Sequence, residues 1–265
     1  MIEQAVDFRE ESEALYQLLS PVPEEKFDQN TQFKSWTIND VLGHLYLWNH
    51  AAELTLTDSA AFEKFLGELI EHIGAGGALR EFEGKRLEGL KGKKLLATWR
   101  SNYIETSKQY EKSDPKVRVK WAGPDMSARS KITARFMETW AHGQEVYDQL
   151  GVVRQNKDRI KNIVVLGNNT FGWTFVNRGL EVPEKKPYLK LTAPSGGIWE
   201  FNDPSEDNVI QGAAEEFCQV VTQVRSIGDT ALAVKGDVAT HWMSIAQCFA
   251  GPPEDPPKPG TRFTA

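Results

Sequence analysis

Apolar positions in the first 150 residues recur with helical spacing, and the breaks between them are marked. Residues 3–19 form a first helical pattern, stopped by the turn SPVPEE. Thr37 has the character of an N-cap, with Asp40 three residues on as an acidic form of the capping box. From it runs TINDVLGHLYLWNHAAELTL, a strong helix, and AAFEKFLGELIEH continues the element after a break near Asp58. GAGGA at 74–78 reads as flexible. A third long helix is predicted over roughly 90–112. DPKVRVKWAGPDMS reads as a loop leading to a cap at Ser127 or Ser130. The fourth helix runs to Leu150 and stops at Gly151, a residue suited to the position after a helix end. Four helices, each with an apolar face, predict a bundle.

Beyond Gly151 the texture changes. NIVVLGNN and FGWTFVNRG are mixed, while YLKLTA and GIWEFN alternate as strands do, with the turn PSGG between them. DNVIQGAAEEFCQVVTQV reads as a short strand running into a helix, and DVATHWMSIAQCFAG as another helix. The boundary falls near 151–157. The expected organisation is an all-helical segment at 1–152 and a smaller α+β segment at 153–265 with a proline-rich tail.

Composition narrows the function classes. A chain of 265 residues with 40% hydrophobic and 26% charged residues can bury a real core. Its net charge of −6 argues against a nucleic-acid binder. Two cysteines, Cys218 and Cys248, make no disulfide framework and no C-x-x-C pair; both lie in apolar helical context and read as inert. There is no basic n-region followed by an apolar stretch at the start, and no apolar run approaches ~18 residues. A cytoplasmic protein that meets no membrane is expected.

The candidate chemistry sits on two helices. On the first, the polar positions Asn39, Asn49, His50 and Glu53 share one side at ~100° per residue, and His44 projects almost opposite them. It should point into the core, either as a histidine bonded to a backbone carbonyl or with a metal on one ring nitrogen. On the fourth helix, Glu138 and His142 lie one turn apart, roughly 6 Å along the axis, a spacing that suits two ligands of one metal and also an exposed ion pair. Arg135, Glu138, His142, Glu145 and Gln149 form one continuous polar stripe. Periodicity alone puts that stripe in water and Phe136, Trp140 and Tyr147 in the core. His50 and His72 sit among polar neighbours and read as solvated; His241 has no acid at metal spacing and reads as a packed residue of the core or surface.

Two motifs then carry a resemblance. SWTINDVLGHLYLW resembles the W-T-x-x-D-x-x-x-H-L segment of the mycothiol-dependent maleylpyruvate isomerase N-terminal domain family, within the wider DinB-like superfamily. ARFMETWAHGQEVYDQLG is similar to that family's R-x-x-E-x-x-x-H-x-x-D segment with its helix-ending L-G. WAGPDMS and IAQCFAGPP resemble a mostly actinobacterial branch, so the similarity covers nearly the whole chain. The segment from VIQGAAEEFCQVV to ATHWMSIAQCF resembles the end of a sterol-carrier-like domain. The fold class this implies is α plus α+β: a DinB-like four-helix bundle followed by a smaller sterol-carrier-like domain.

The resemblance implies that His44, Glu138 and His142 bind a divalent metal, usually zinc, and that the polar stripe faces the bundle's interior. Arg135 matches the family arginine, either as an i,i+3 ion-pair partner of Glu138 or as a catalytic anchor for a carboxylate or thiol cofactor. Glu145 stands where the family has Asp and would orient His142. The implied activity is that of a transferase or isomerase using a low-molecular-weight thiol such as mycothiol on a small electrophilic substrate, in a monomer or homodimer. The rival readings are a non-catalytic metal- or small-ligand-binding protein, and a purely structural bundle.

Overall fold

The computed structural model describes residues 1–264, without the side chain of Pro124. Ala265, the last residue of the expected α+β segment, lies outside the described residues. The chain divides into two compact units, Met1–Gln149 and Leu150–Ala265.

The first unit is built on four long helices: α1 (Glu3–Leu19), α2 (Ile38–Thr57), α5 (Gly92–Lys112) and α6 (Ala128–Gln149). α1 packs on α5 and α6, and α2 packs on α5 and α6 as well. Burial of large rings drives this packing: Phe8, Trp99, Tyr103, Tyr110, Phe136 and Trp140 are all fully buried. α2 begins as its sequence suggests. Thr37 accepts from the Asp40 backbone N–H, and the Asp40 carboxylate accepts from the Thr37 backbone N–H at 2.7 Å. α6 begins at Ser127, whose hydroxyl accepts from the Ser130 N–H, and Gly151 follows its end at φ +66°.

Between α2 and α5 the chain makes an excursion. Asp58 caps α3 (Ser59–Gly74) by accepting from Ala61 N–H, so the break at Asp58 starts a separate helix. A tight turn through Gly76 (φ +86°) leads to α4 (Leu79–Arg86), which the sequence pattern did not predict. One face of α4 meets α2. Arg80 pairs with Asp40 at 2.7 Å, Glu83 reaches His44 and Trp48, and Leu87, just past the helix, fills the space beside Gly43. A Cβ at Gly43 would stand 2.5 Å from the Leu87 side chain, so the missing side chain there permits the close approach. His72 is a correction: it is packed rather than solvated. Its Nε2 lies 3.1 Å from the Ala78 carbonyl, and its ring lies over Gly77, where a Cβ would collide with it. The segment expected as a plain loop before α6 is an antiparallel hairpin of β1 (Arg118–Trp121) and β2 (Gly123–Ser127).

The second unit carries a four-stranded sheet in the order β4-β3-β5-β6, from β3 (Tyr188–Thr192), β4 (Ile198–Phe201), β5 (Val209–Ala213) and β6 (Ala233–Lys235). β3 and β4 form the hairpin expected around PSGG, with Gly196 at φ +88°. β3 and β5 are parallel, and β6 closes the far edge antiparallel to β5. Helices α7 (Lys161–Asn169), α8 (Phe171–Val176), α9 (Ala214–Val221) and α10 (Asp237–Ile245) complete the unit, with α9 packed on β3 and β5. Its core gathers Phe171, Phe217 and Trp242 edge to face, and His241 packs its ring on Phe175 at 5.4 Å. Cys218 and Cys248 are both buried, and burial pushes the Cys218 thiol well above its ordinary pKa. Among the described residues no helix is long and apolar enough to cross a membrane.

The capping box is the feature most open to a direct check. Thr37→Ala should cost about 1 kcal/mol of stability, read as a lowered midpoint in thermal or urea unfolding; an unchanged midpoint would show that the cap contributes nothing.

Candidate functional site

Two helices deliver the site. α2 turns His44 inward, seven residues after its cap, and leaves it 8% exposed. α6 presents Lys131, Arg135, Glu138 and His142 at steps of four, three and four, which places them on one helix face. His44 and His142 stand with ring centroids 4.8 Å apart. The Glu138 carboxylate serves both: its Oε2 is 3.5 Å from His44 Nε2 and 3.3 Å from His142 Nε2. The three donor atoms all lie within 4.8 Å of one another. Nitrogen and oxygen ligands at ~2.0–2.2 Å from a tetrahedral ion stand roughly 3.3–3.5 Å apart. The two donor separations at Glu138 match the edges of such a tetrahedron, so these residues could hold a divalent metal.

The polar stripe of α6 is therefore not a solvated face. Arg135 is 2% exposed and Glu145 is 2% exposed, while Glu138 and His142 are half-buried. On the other side Phe136 and Trp140 are fully buried and Tyr147 partly so. α6 packs on α1 and on α2, so it buries both of its faces. Helical periodicity separates two faces but cannot say that both are covered.

Charge on the site is tightly arranged. His44 Nδ1 lies 2.8 Å from Glu83 Oε1, and Trp48 Nε1 donates to the same oxygen at 2.8 Å. Burial alone would depress the His44 pKa, but the Glu83 charge and the bonds to Glu138 and Glu83 raise it to about 9. Burial would raise Glu138, yet its hydrogen bonds with His142 and His44 hold it well below the usual carboxylate range. His142 is lowered, by burial first and then by the neighbouring His44 charge, against the pull of Glu138. Without a metal the cluster is thus an ionised Glu138 between a protonated His44 and a neutral His142.

Aromatic rings wall the site. Trp36 stacks on His142 at 5.7 Å with planes 5° apart, and Phe33 meets the same ring edge-on at 5.1 Å. Both rings come from the segment before α2, where Lys34 and Ser35 adopt left-handed φ values of 49° and 56°. Two such non-glycine residues in succession are costly, on the order of 1–3 kcal/mol each, and the bonds Thr31 N–H to Trp36 O and Trp36 N–H to Phe33 O hold them.

Arg135 is tied to α2: its Nε donates to Asn49 Oδ1 at 3.0 Å and an Nη to the Leu45 carbonyl at 3.4 Å. One turn away Lys131 is fully buried, with its ammonium against the Trp121 ring and no hydrogen-bond acceptor among the described residues. Burial and the Arg135 charge push its pKa well below the ordinary value. Glu83, Trp36 and Phe33 line the site without having stood out as candidates in the sequence. The W of the W-T motif was a signal for Trp36. Glu83 had none, because its helix was not recognised.

A family model for the mycothiol maleylpyruvate isomerase N-terminal domain matches residues 8–147. The chain belongs to this family. An uncharacterised Mycobacterium tuberculosis protein, known from strains CDC 1551 and H37Rv, is 35% identical to it over 249 residues, covering 93% of this chain and 95% of that one. Among solved structures the chain is similar to a mycothiol-dependent maleylpyruvate isomerase, with a TM-score of 0.53 and 16% identity over 82% of this chain and 87% of that one. A mutant of that enzyme gives a TM-score of 0.51 at 15% identity, over the same shares of the two chains. At such identities the likeness is one of fold: a helical and small-sheet architecture shared with the family.

The charges lead to two measurable outcomes. A folded-state pKa raised from 6.5 to about 9 at His44 gives stability that is fully present below pH 6.5 and is lost as pH rises through 9. The thermal midpoint of chelator-treated protein should therefore fall across that window, and His44→Gln should remove this part of the slope; equal slopes would contradict the charge assignment. Lys131→Met, which keeps the volume and removes a buried donor without an acceptor, should raise stability by on the order of 1 kcal/mol, measured by urea unfolding.

Proposed function

We propose that the chain is a divalent-metal-dependent enzyme, a transferase or isomerase that uses a low-molecular-weight thiol on a small electrophilic molecule. The observation that carries this reading is the convergence of His44, Glu138 and His142 within 4.8 Å of one another, with Glu138 Oε2 at tetrahedral ligand spacing from both His44 Nε2 and His142 Nε2. Three protein donors with an open fourth position is the pattern of a catalytic zinc rather than a structural one, and zinc is the ion proposed. Such an ion would lower the pKa of a thiol at the open position and so supply a nucleophile at neutral pH. The family and the solved relative, whose names specify mycothiol, support mycothiol as the thiol.

This chain's own residues would do the rest. Glu138 keeps its charge at neutral pH and so stays ready as a ligand. His44 gives up its proton when its Nε2 binds. Trp36 and Phe33 fix the His142 ring and keep water from its faces. Arg135, in electrostatic reach of Glu138 and Glu83, supplies positive charge for a thiolate or an acidic substrate, and Glu145 supports His142 from three residues further along α6. The domain reading belongs to the same proposal. Residues 1–152 act as a DinB-like metal-binding bundle, supported by four long packed helices. Residues 153–265 act as a sterol-carrier-like α+β domain, supported by the mixed sheet with its packed helix. The protein is taken to work in the cytoplasm, as a monomer or homodimer.

The test joins metal content to turnover. Wild-type protein should carry close to one zinc or similar ion per chain and show thiol-dependent turnover in a screen of electrophiles. His142→Ala should lose both together. Arg135→Lys should keep the metal while the concentration of thiol needed for half-maximal rate rises. Metal without turnover under any thiol would favour a binding protein instead, and full metal content in His142→Ala would end the metal-centre reading. Because His44 holds a proton up to about pH 9, zinc must displace it, so apparent affinity should rise between pH 6.5 and 8.5, by up to roughly tenfold per pH unit from this group; a flat profile would contradict the competition.

A further inference from the structure

We infer that Glu83, on the short helix α4, is a positioning residue of the metal centre and that the α3–α4 excursion exists in part to deliver it. The inference rests on the metal-centre reading above. The geometry is specific. Glu83 Oε1 receives both His44 Nδ1 and Trp48 Nε1, each at 2.8 Å, and the residue is 4% exposed. With its Nδ1 engaged, the His44 ring can turn only one nitrogen, Nε2, toward Glu138 and His142. A carboxylate on the far nitrogen fixes the ring's tautomer and plane and makes the near nitrogen a better donor.

A purely structural role explains this arrangement poorly. α4 is already fastened to α2 by the Arg80–Asp40 ion pair and by Leu87 packed beside Gly43. Burying a carboxylate is costly unless its partners return the loss, and an apolar residue would join the two helices at less cost. The carboxylate is instead placed where the imidazole it meets is that of a metal-ligand candidate and where Trp48, one turn beyond His44 on α2, holds it from the side. The motif residues on α2 and α6 supply the ligands. Glu83 supplies the orientation of one of them from a third segment that neither motif contains.

The experiment measures zinc affinity of the full chain by competition with a chromophoric chelator, beside unfolding of the chelator-treated protein. Glu83→Gln should bind zinc ~10–100-fold more weakly while the fold is retained, and Glu83→Asp, which restores the charge, should recover part of that loss. Trp48→Phe removes the other bond to the same oxygen and should leave zinc affinity within about threefold of wild type. A strut role would lower the stability of Glu83→Gln and Trp48→Phe alike and leave the zinc affinity of both unchanged, and that result overturns the inference. Wild-type affinity in Glu83→Gln with binding abolished in His44→Ala would overturn it while leaving the metal centre standing. Absence of zinc binding by the wild type would overturn both readings. Should Glu83→Gln not fold, Glu83→Leu in the Trp48→Phe background removes the carboxylate together with the donor it satisfies; affinity equal to that of Trp48→Phe alone overturns the inference equally.

Discussion

The Glu138 carboxylate is the constraint around which the first unit is arranged. It is a charge held between two imidazoles on two different helices, 3.5 Å from one ring nitrogen and 3.3 Å from the other. An anion withdrawn from water must be met by donors or cations that do not themselves have to be exposed. α2 and α6 therefore have to lie close enough for His44 to reach it. Arg135 has to be drawn in toward α2 through Asn49 and the Leu45 carbonyl. The positive charge that settles on His44 has to be answered in turn, and Glu83 answers it. Each step brings one more polar group inside, so the unit carries an interior ionic chain where an ordinary bundle carries side-chain hydrocarbon.

The aromatic wall limits how far that chain can spread. Trp36 and Phe33 lie against His142 and shield the pair of rings, and Trp48 closes the other flank through its bond to Glu83. Holding the wall requires the backbone at Lys34 and Ser35 to sit in a sparsely populated region, and the capping box at Thr37 then fixes the first turn of α2. The backbone strain, the cap and the first candidate ligand thus fall within eleven residues, 34–44, so local backbone chemistry sets the register of the site.

Much of this was legible in the sequence, and the losses have physical reasons. Thr37, Asp58, Ser127 and Gly151 act through local backbone bonds, so their signals survive without any tertiary context. The PSGG hairpin was visible for the same reason. His44 could be turned inward by counting angles. The stripe on α6 could not, because a helix that buries both faces shows the same periodicity as one that buries a single face. Only the family resemblance reversed the assignment to solvent. α4 escaped because LREFEGKR is eight residues long with five charges, and its helicity depends on Arg80, Glu83 and Leu87 meeting α2. β6, three residues at a sheet edge, and the β1–β2 hairpin are set by partners rather than by pattern. Glu83 was therefore invisible as a site residue until its helix was seen.

The two cysteines acquire a meaning beside such a site. A protein that brought thiols and electrophiles together would expose its own sulfur to alkylation and to mixed-disulfide exchange at every turnover. Here both sulfurs lie in the interior of the second unit, and Cys218 is kept in its protonated, poorly nucleophilic form. With both thiols buried, a small thiol supplied from solution would face no exposed cysteine as a competitor, and a protein working with such reagents would be spared modification of its own thiols.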